Sequence, residues 1–335
     1  MQTTRAGLRS WRGAASAAAL LAVAVTSSQP SSAEPRQLAS ATGSAPGRYR
    51  TIDLGTLGGQ SSVAAALNDR GAVVGRAQTA DGTWHGFVWR HGTMKDLGLF
   101  SPTDINNRGE IVGTRDDAGG VYRWSHGTLT ALGGRLRHAY AINDRGQVLA
   151  SRGGDGGADV RVLWTRGTVR ELPLDDVSDL NNRGQVAGGR ITTTGFHASV
   201  WHRDKVTDLG AGAFDRSNAY RINESGWVIG WTFDAQQYQR GALWRHGRRT
   251  DLGTLGGNIT RVAAINDRGV VLATSQVADG NLHPALWKRG KLTDLTAAGV
   301  SADGDFVDLN NRGEIAASIR PEFGTAHAIV YRPRR

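Results

Sequence analysis

Two sets of residues in this sequence have the types and spacing to do chemistry. Four histidines, His85, His197, His283 and His327, each stand four residues before an aromatic side chain: Trp89, Trp201, Trp287 and Tyr331. Three aspartates, Asp104, Asp179 and Asp308, each stand two residues before an asparagine. Imidazoles converging from several directions can ligate a metal or hydrogen-bond a sugar. Carboxylates converging on one axis can hold a cation or act as acid and base. No nucleophile elbow, zinc-protease helix or phosphate loop accompanies either set. The stretch "DDVSDLNN" (residues 175–182) lacks the spacing and the glycine of a calcium loop. The aspartates are therefore weak catalytic candidates, and neither a metal nor a cofactor is read from the chain. His91, His126 and His246 fall in tight turns after the aromatic and are expected to be solvated.

These residues are positioned by a repeat. A tetrad of the form Asn-(Asp/Asn/Glu)-(Arg/Ser)-Gly begins at Asn68, Asn106, Asn143, Asn181, Asn223, Asn266 and Asn310, at spacings of 38, 37, 38, 42, 43 and 44 residues. Each is followed at a matching distance by an aromatic: Trp89, Trp124, Trp164, Trp201, Trp244, Trp287 and Tyr331. After the first six comes a turn such as "RHG" and a segment such as "TMKDLG". Short β-prone runs divided by Gly, Asn and Asp, without helical periodicity, read as strands. The tetrad suits a type I turn closed by a glycine at positive φ. Seven units of about 40 residues with four strands each predict an all-β, seven-bladed β-propeller. A parallel β-helix, with shorter coils and fewer strands, is the alternative. The aromatics are expected to pack between blades, and the asparagines to bond their own turns.

The last unit has no "DLG" strand of its own, whereas a spare one, "RYRTIDLG" (residues 48–55), precedes the first unit. The N-terminal strand is therefore expected to complete the last blade, removing exposed strand edges.

The motifs "DLGTLGG", "AINDRGVV", "HGFVW" (residues 85–89) and "HASVW" (residues 197–201) resemble the HAF-type extracellular repeat of bacteria. The resemblance covers nearly all of residues 48–332 and implies export and a propeller-like fold, but no catalytic residues. The second and third units depart from it, with Gly120 and Val160 in place of the histidine.

Composition bounds the partners. The formal charge is +10, but Arg5, Arg9 and Arg12 precede an apolar run at residues 13–25, and Ser31 and Ala33 fit a cleavage site. This predicts a signal peptide over 1–33, a disordered linker over 34–47, the propeller over 48–332 and a basic tail over 333–335. The apolar run is short for a stable membrane span, so the mature chain is read as secreted and monomeric. Its remaining positive charge is interspersed with acids, which argues against nucleic acid as a partner. With no cysteine, neither disulfides nor thiolate metal sites are available.

Function is expected where the loops vary. Two turns per unit are short and uniform, whereas "AQTADGTW" (residues 77–84), "RGGDGGAD" (residues 152–159) and "TFDAQQYQ" (residues 232–239) differ. Blade connections are also longer at four places, for example 13 residues from Leu54 to Leu67 against 8 from Leu97 to Ile105. One raised arc is therefore expected, carrying Trp84, Phe214, Tyr220, Phe233, Tyr238 and Phe306. Trp84, His85, Tyr238, His283 and His327 are its candidate ligand-binding residues. The expected function is a binding or scaffold module for a cell-wall polymer, an extracellular glycan or a protein. The alternatives are a polysaccharide hydrolase or lyase acting at the channel, and a purely structural envelope protein.

Overall fold

The computed structural model describes residues 47–154, 157–320 and 325–334. The expected signal peptide and almost all of the linker lie outside the described residues.

Among the described residues every regular element is a strand, apart from one short 3-10 turn, Thr296–Ala298. The first unit shows the pattern: Gly58–Leu67, Val73–Thr79, Trp84–Arg90 and Thr93–Asp96 form a four-stranded antiparallel sheet in chain order. Five sheets of four strands occur, together with an eight-stranded one. The larger sheet is two such four-stranded sets joined by a single parallel bridge between Phe196 and Arg216.

Both short connections follow the expected turn chemistry. In the first tetrad the Gly71 N–H donates to Asn68 O at 3.0 Å, with Gly71 at φ 78°. In the "RHG" turn His91 and Gly92 are both left-handed, at φ 49° and 88°, which suits a two-residue hairpin joining right-twisted strands. His91, His126 and His246 are exposed, as expected.

Each aromatic of the third strand is buried and paired across from a β-branched residue of the second. Trp89 faces Val73, Trp164 faces Val148, Trp244 faces Val228 and Tyr331 faces Ile315. The apolar clusters lie between neighbouring sheets: Trp89, Phe87 and Val73 pack with Ala316, Ala328 and Val330 of the last unit. Truncating such a ring to Ala costs about 3–5 kcal/mol, so the aromatics hold sheets together, as expected.

Three of the four long connections are not raised loops. Their residues are used in ten-residue inner strands, Gly58–Leu67, Ala213–Ile222 and Gly256–Ile265, against five to seven residues in Asp176–Leu180, Phe100–Ile105 and Leu136–Ile142. The surplus is absorbed by register shifts, as between Gly58 and Ser62, because added residues that keep pairing satisfy more backbone groups than a free loop would. The fourth, before the six-residue strand Gly304–Leu309, carries the 3-10 turn instead. Tyr220 and Phe306 accordingly lie within strands, and Phe306 stacks on Tyr331 at 6.4 Å.

The strand Tyr49–Asp53 pairs antiparallel with His327–Pro333, from Tyr49 opposite Pro333 to Asp53 opposite Ile329. The Leu54 N–H extends the pairing by donating to Ala328 O at 3.0 Å, and the Leu54 side chain is buried in the cluster that spans the first and last units. Deleting residues 34–54 removes that core leucine, worth about 2–5 kcal/mol, and exposes the edge of the last sheet. Aggregation or a large fall in melting temperature is expected. An unchanged, monomeric melting profile would contradict this role.

Candidate functional site

The inner strands end at the asparagine turns, and these turns make two circuits of hydrogen bonds. In the first, each asparagine Oδ1 holds its own turn: Asn68 Oδ1 accepts from the N–H groups of Arg70 and Ala72 at 3.1 and 3.0 Å. Its Nδ2 then donates to the main-chain oxygen of the next asparagine, Asn106, at 2.9 Å. Asn106 donates to Asn143, Asn143 to Asn181 and Asn181 to Asn223, each at 3.0 Å. Asn223 donates to Asn266 at 3.1 Å and Asn266 to Asn310 at 3.2 Å. Asn310 returns to Asn68 O at 3.1 Å. All seven are buried. The expected role in the local turn is real but incomplete, because the second half of each amide joins one unit to the next.

The following residue makes a second circuit. The Asp69 N–H donates to Asn107 Oδ1, Asn107 N–H to Asp144, Asp144 N–H to Asn182 and Asn182 N–H to Glu224. Glu224 N–H donates to Asp267, Asp267 N–H to Asn311, and Asn311 N–H back to Asp69. Acids and amides alternate so that an amide Nδ2 bridges flanking carboxylates, as Asn311 does between Asp69 and Asp267 at 2.9 and 2.7 Å. Seven is odd, so alternation must fail once, and here it fails at two adjoining acids, Glu224 and Asp267. Burial first, and then Asp267 and Asp144, push the Glu224 carboxyl above its ordinary pKa.

The three channel aspartates lie one layer further in, on the inner strands. Asp104 accepts from Ile105 N–H and, across to the next unit, from Ile142 N–H, both at 2.8 Å. Asp179 does the same with Leu180 and Ile222, and Asp308 with Leu309 and Leu67. Asp104 and Asp179 line a cavity of about 190 Å³ ringed by residues of all seven turns. Arg221 occupies the same register as these acids. Burial opposes its charge, but Tyr220 and the three aspartates outweigh that and raise its pKa. Burial raises all three carboxyls, and Arg221 partly offsets this for Asp179 and Asp308. Asp104 has the weakest of the three couplings to Arg221. Burial, followed by repulsion from Asp179 and Asp308, carries it to about 7.

The sequence thus identified a real acid cluster, but each carboxylate is occupied by main-chain N–H groups of two units. Among the described residues no group of three or more His, Asp or Glu is placed to hold a metal ion.

The histidines answer to a different partner. His85 Nδ1 bonds Asp96 at 2.9 Å, His197 bonds Asp208 at 2.8 Å, and His283 and His327 bond Asp294 and Asp53, each at 2.7 Å. In every case the partner belongs to the "DLG" segment or its equivalent. The same aspartates cap the turn that follows: Asp53 accepts from Gly55 N–H and Asp208 from Gly210 N–H. Trp84 lies beneath the Arg76 guanidinium at 5.8 Å, and Tyr238 is 41% exposed at the end of an Asp234-capped turn. The three described cavities are lined by other residues, so these five candidates are not gathered into one of them. The variable loop beside Tyr238 does border a cavity of about 250 Å³, together with Arg240, Arg249 and Asp251.

One linkage escaped the sequence reading. Ser62, Ser217 and Thr260 each follow the "DLG" glycine by seven residues, and each hydroxyl donates back to that glycine's oxygen at 2.7, 2.7 and 2.6 Å. The fixed spacing to a buried hydroxyl was the available signal.

No family model and no curated protein matches the chain. Solved structures do. The β-propeller domain of the Trilobed protease from Pyrococcus furiosus, described as having an open velcro topology, is 11% identical with a TM-score of 0.58, covering 81% of this chain and 96% of that one. A puromycin-hydrolyzing peptidase of Mycobacterium tuberculosis is 12% identical with a TM-score of 0.57, covering 86% and 53%. YCF48 bound to a D1 peptide is 12% identical with a TM-score of 0.55, covering 89% and 100%. The chain thus spans about half the length of the peptidase. Together with the four-stranded sheets, these likenesses show a β-propeller.

The Asp104 carboxyl carries a testable pH dependence. Its folded pKa of about 7 lies above the ordinary 3.8, so between those values the folded chain binds more protons than the unfolded one. Stability is then lost as pH rises through this window. Between pH 5 and pH 8 the loss is on the order of 2 kcal/mol, or several degrees of melting temperature. Melting at pH 5 and pH 8 should show the parent falling further than Asp104→Asn. Equal slopes for the two proteins would refute the assignment.

Proposed function

We propose that this chain is an exported, non-catalytic binding or scaffold module, built as a seven-bladed propeller closed by its N-terminal strand. Closure is supported by the pairing of Tyr49–Asp53 with His327–Pro333 and by the return of both hydrogen-bond circuits from the last turn to the first. The HAF-type resemblance and the basic, apolar and small-residue order of the first 33 residues support export from a bacterial cell.

The observation that carries the non-catalytic reading is the engagement of the channel acids. Asp104, Asp179 and Asp308 each accept N–H groups from two neighbouring units. They act as struts and offer no free base beside a nucleophile. Binding then falls to side chains presented by loops on a rigid frame. Trp84 and Tyr238 are the aromatic candidates for stacking on a glycan or cell-wall polymer, with His85, His283 and His327 on the adjoining strands. One propeller of the same fold is known with a bound peptide, which keeps a protein partner within this reading.

Mature protein incubated with insoluble polysaccharides and cell walls should be retained without releasing soluble product. Replacing Trp84, Tyr238 and His283 by Ala should lower retention at least tenfold. Loss of the His283–Asp294 pair should cost about 1 kcal/mol or less. Product release would favour the hydrolase or lyase. Unchanged retention would move the site off this arc.

A further inference from the structure

The face carrying the asparagine turns holds the largest of the three described cavities, of about 540 Å³, and arginine is its commonest lining residue. Arg70, Arg90, Arg108, Arg312, Arg332 and Arg334 line it, at the seam between the last unit and the first two. Against these six guanidiniums stand two carboxylates. Glu314 is shared by Arg312 and Arg332 at 2.6 and 2.8 Å, and Glu110 pairs with Arg108 at 3.2 Å. A surplus of four positive charges remains. Arg70, Arg90 and Arg334 make no ion pair among the described residues.

The cavity has a local cause. The residue after each turn glycine normally reaches over the next unit's turn: Gln147 toward Gly184, Gln185 toward Gly226 and Trp227 onto Gly269. In the first unit this position is Ala72, too short to reach Gly109. Arg90 crosses instead, donating from Nη2 to Gly109 O at 3.3 Å and lying where a Cβ on Gly109 would collide with it. On the other wall Arg312 lies against Gly71 in the same way. Arg332 stands over the Trp89 ring at 5.5 Å, and its Nε, although 2.8 Å from Glu314, is not aligned for a hydrogen bond. Arg90, Arg312 and Arg332 are thus held in place around a space that a short residue leaves open.

We infer that this cleft binds a multiply charged phosphate-bearing anion. Guanidinium forks match the oxygens of phosphate and offer several parallel donors. A volume in the range of small-ligand sites admits more than one phosphate group, and the surplus of four charges matches an oligoanion better than a single orthophosphate. The site lies on the uniform-turn face, away from the variable loops, so it is separate from the binding arc proposed above.

Two substitutions separate charge from space. Arg70→Ala with Arg334→Ala removes two of the three cations without an ion pair among the described residues, while Ala72→Trp keeps every charge and fills the cavity as Trp227 fills its own register. Calorimetric titration with tripolyphosphate, poly(glycerol phosphate), orthophosphate and a neutral cello-oligosaccharide reads the result. The parent should bind tripolyphosphate at least tenfold more tightly than orthophosphate and the sugar not at all, with affinity falling as salt rises. Both variants should lose tenfold or more. Poly(glycerol phosphate) competing for the same site would identify a polymer source, and its failure to compete would leave the free polyanion as the ligand. Tripolyphosphate binding no tighter than orthophosphate would overturn the site, as would equal affinity in the folded arginine variant. Should Ala72→Trp fail to fold, the arginine variant alone decides.

Discussion

The side-chain amide of the turn asparagine is the interaction on which the rest of this molecule depends. Sheet hydrogen bonds hold strands within a unit, and apolar contacts hold units face to face, but neither fixes where the inner ends of the sheets meet. Each asparagine does so with one planar group: its oxygen shapes a turn and its nitrogen reaches the main chain of the next turn. A net contribution of about 0.5–1.5 kcal/mol per bond is modest singly. Repeated at every turn and buried, the amides become a constraint that no single unit can relax alone.

The channel follows from that constraint. Once the turns are drawn together, the inner strands crowd around a narrow space, and any side chain two residues before the asparagine must face the others. Three of these are aspartates and one is Arg221. The acids take backbone N–H groups of the next unit, which adds cross-links. The cost is burial and charge repulsion, which Arg221 relieves more for Asp179 and Asp308 than for Asp104. The second circuit shows the same economy of partners, with amides set between acids everywhere except at Glu224 and Asp267.

Much of this was legible in the sequence. The repeat, the strands, the turn types, the packing of the aromatics and the pairing of the first strand all follow from local patterns, and each recurs. What local patterns could not reveal was reach between units. Asn68 reads as a turn residue because its bonds to Arg70 and Ala72 reach no further than four residues, while its bond to Asn106 spans 38. His85 reads as a free ligand until Asp96 is found beside it on the paired strand. The long connection before Leu67 reads as a loop because its bulged pairing with the next strand leaves no simple alternation. The basic cleft was invisible for a further reason: it is made by the absence of a long side chain at Ala72, which matters only beside arginines from the other end of the chain.

If the circuit of asparagines has no ends, its members should be equivalent wherever they fall in the chain. Asn143 and Asn310 are matched for this comparison, since each also donates to the side chain four residues on, Gln147 or Glu314. Urea unfolding of Asn143→Ala and Asn310→Ala measures both. The account predicts a single transition for each, destabilised by about 2–4 kcal/mol and equal within about 1 kcal/mol. An Asn310→Ala protein as stable as the parent, beside a weakened Asn143→Ala, would show that the last turn is not joined to the first and would contradict it.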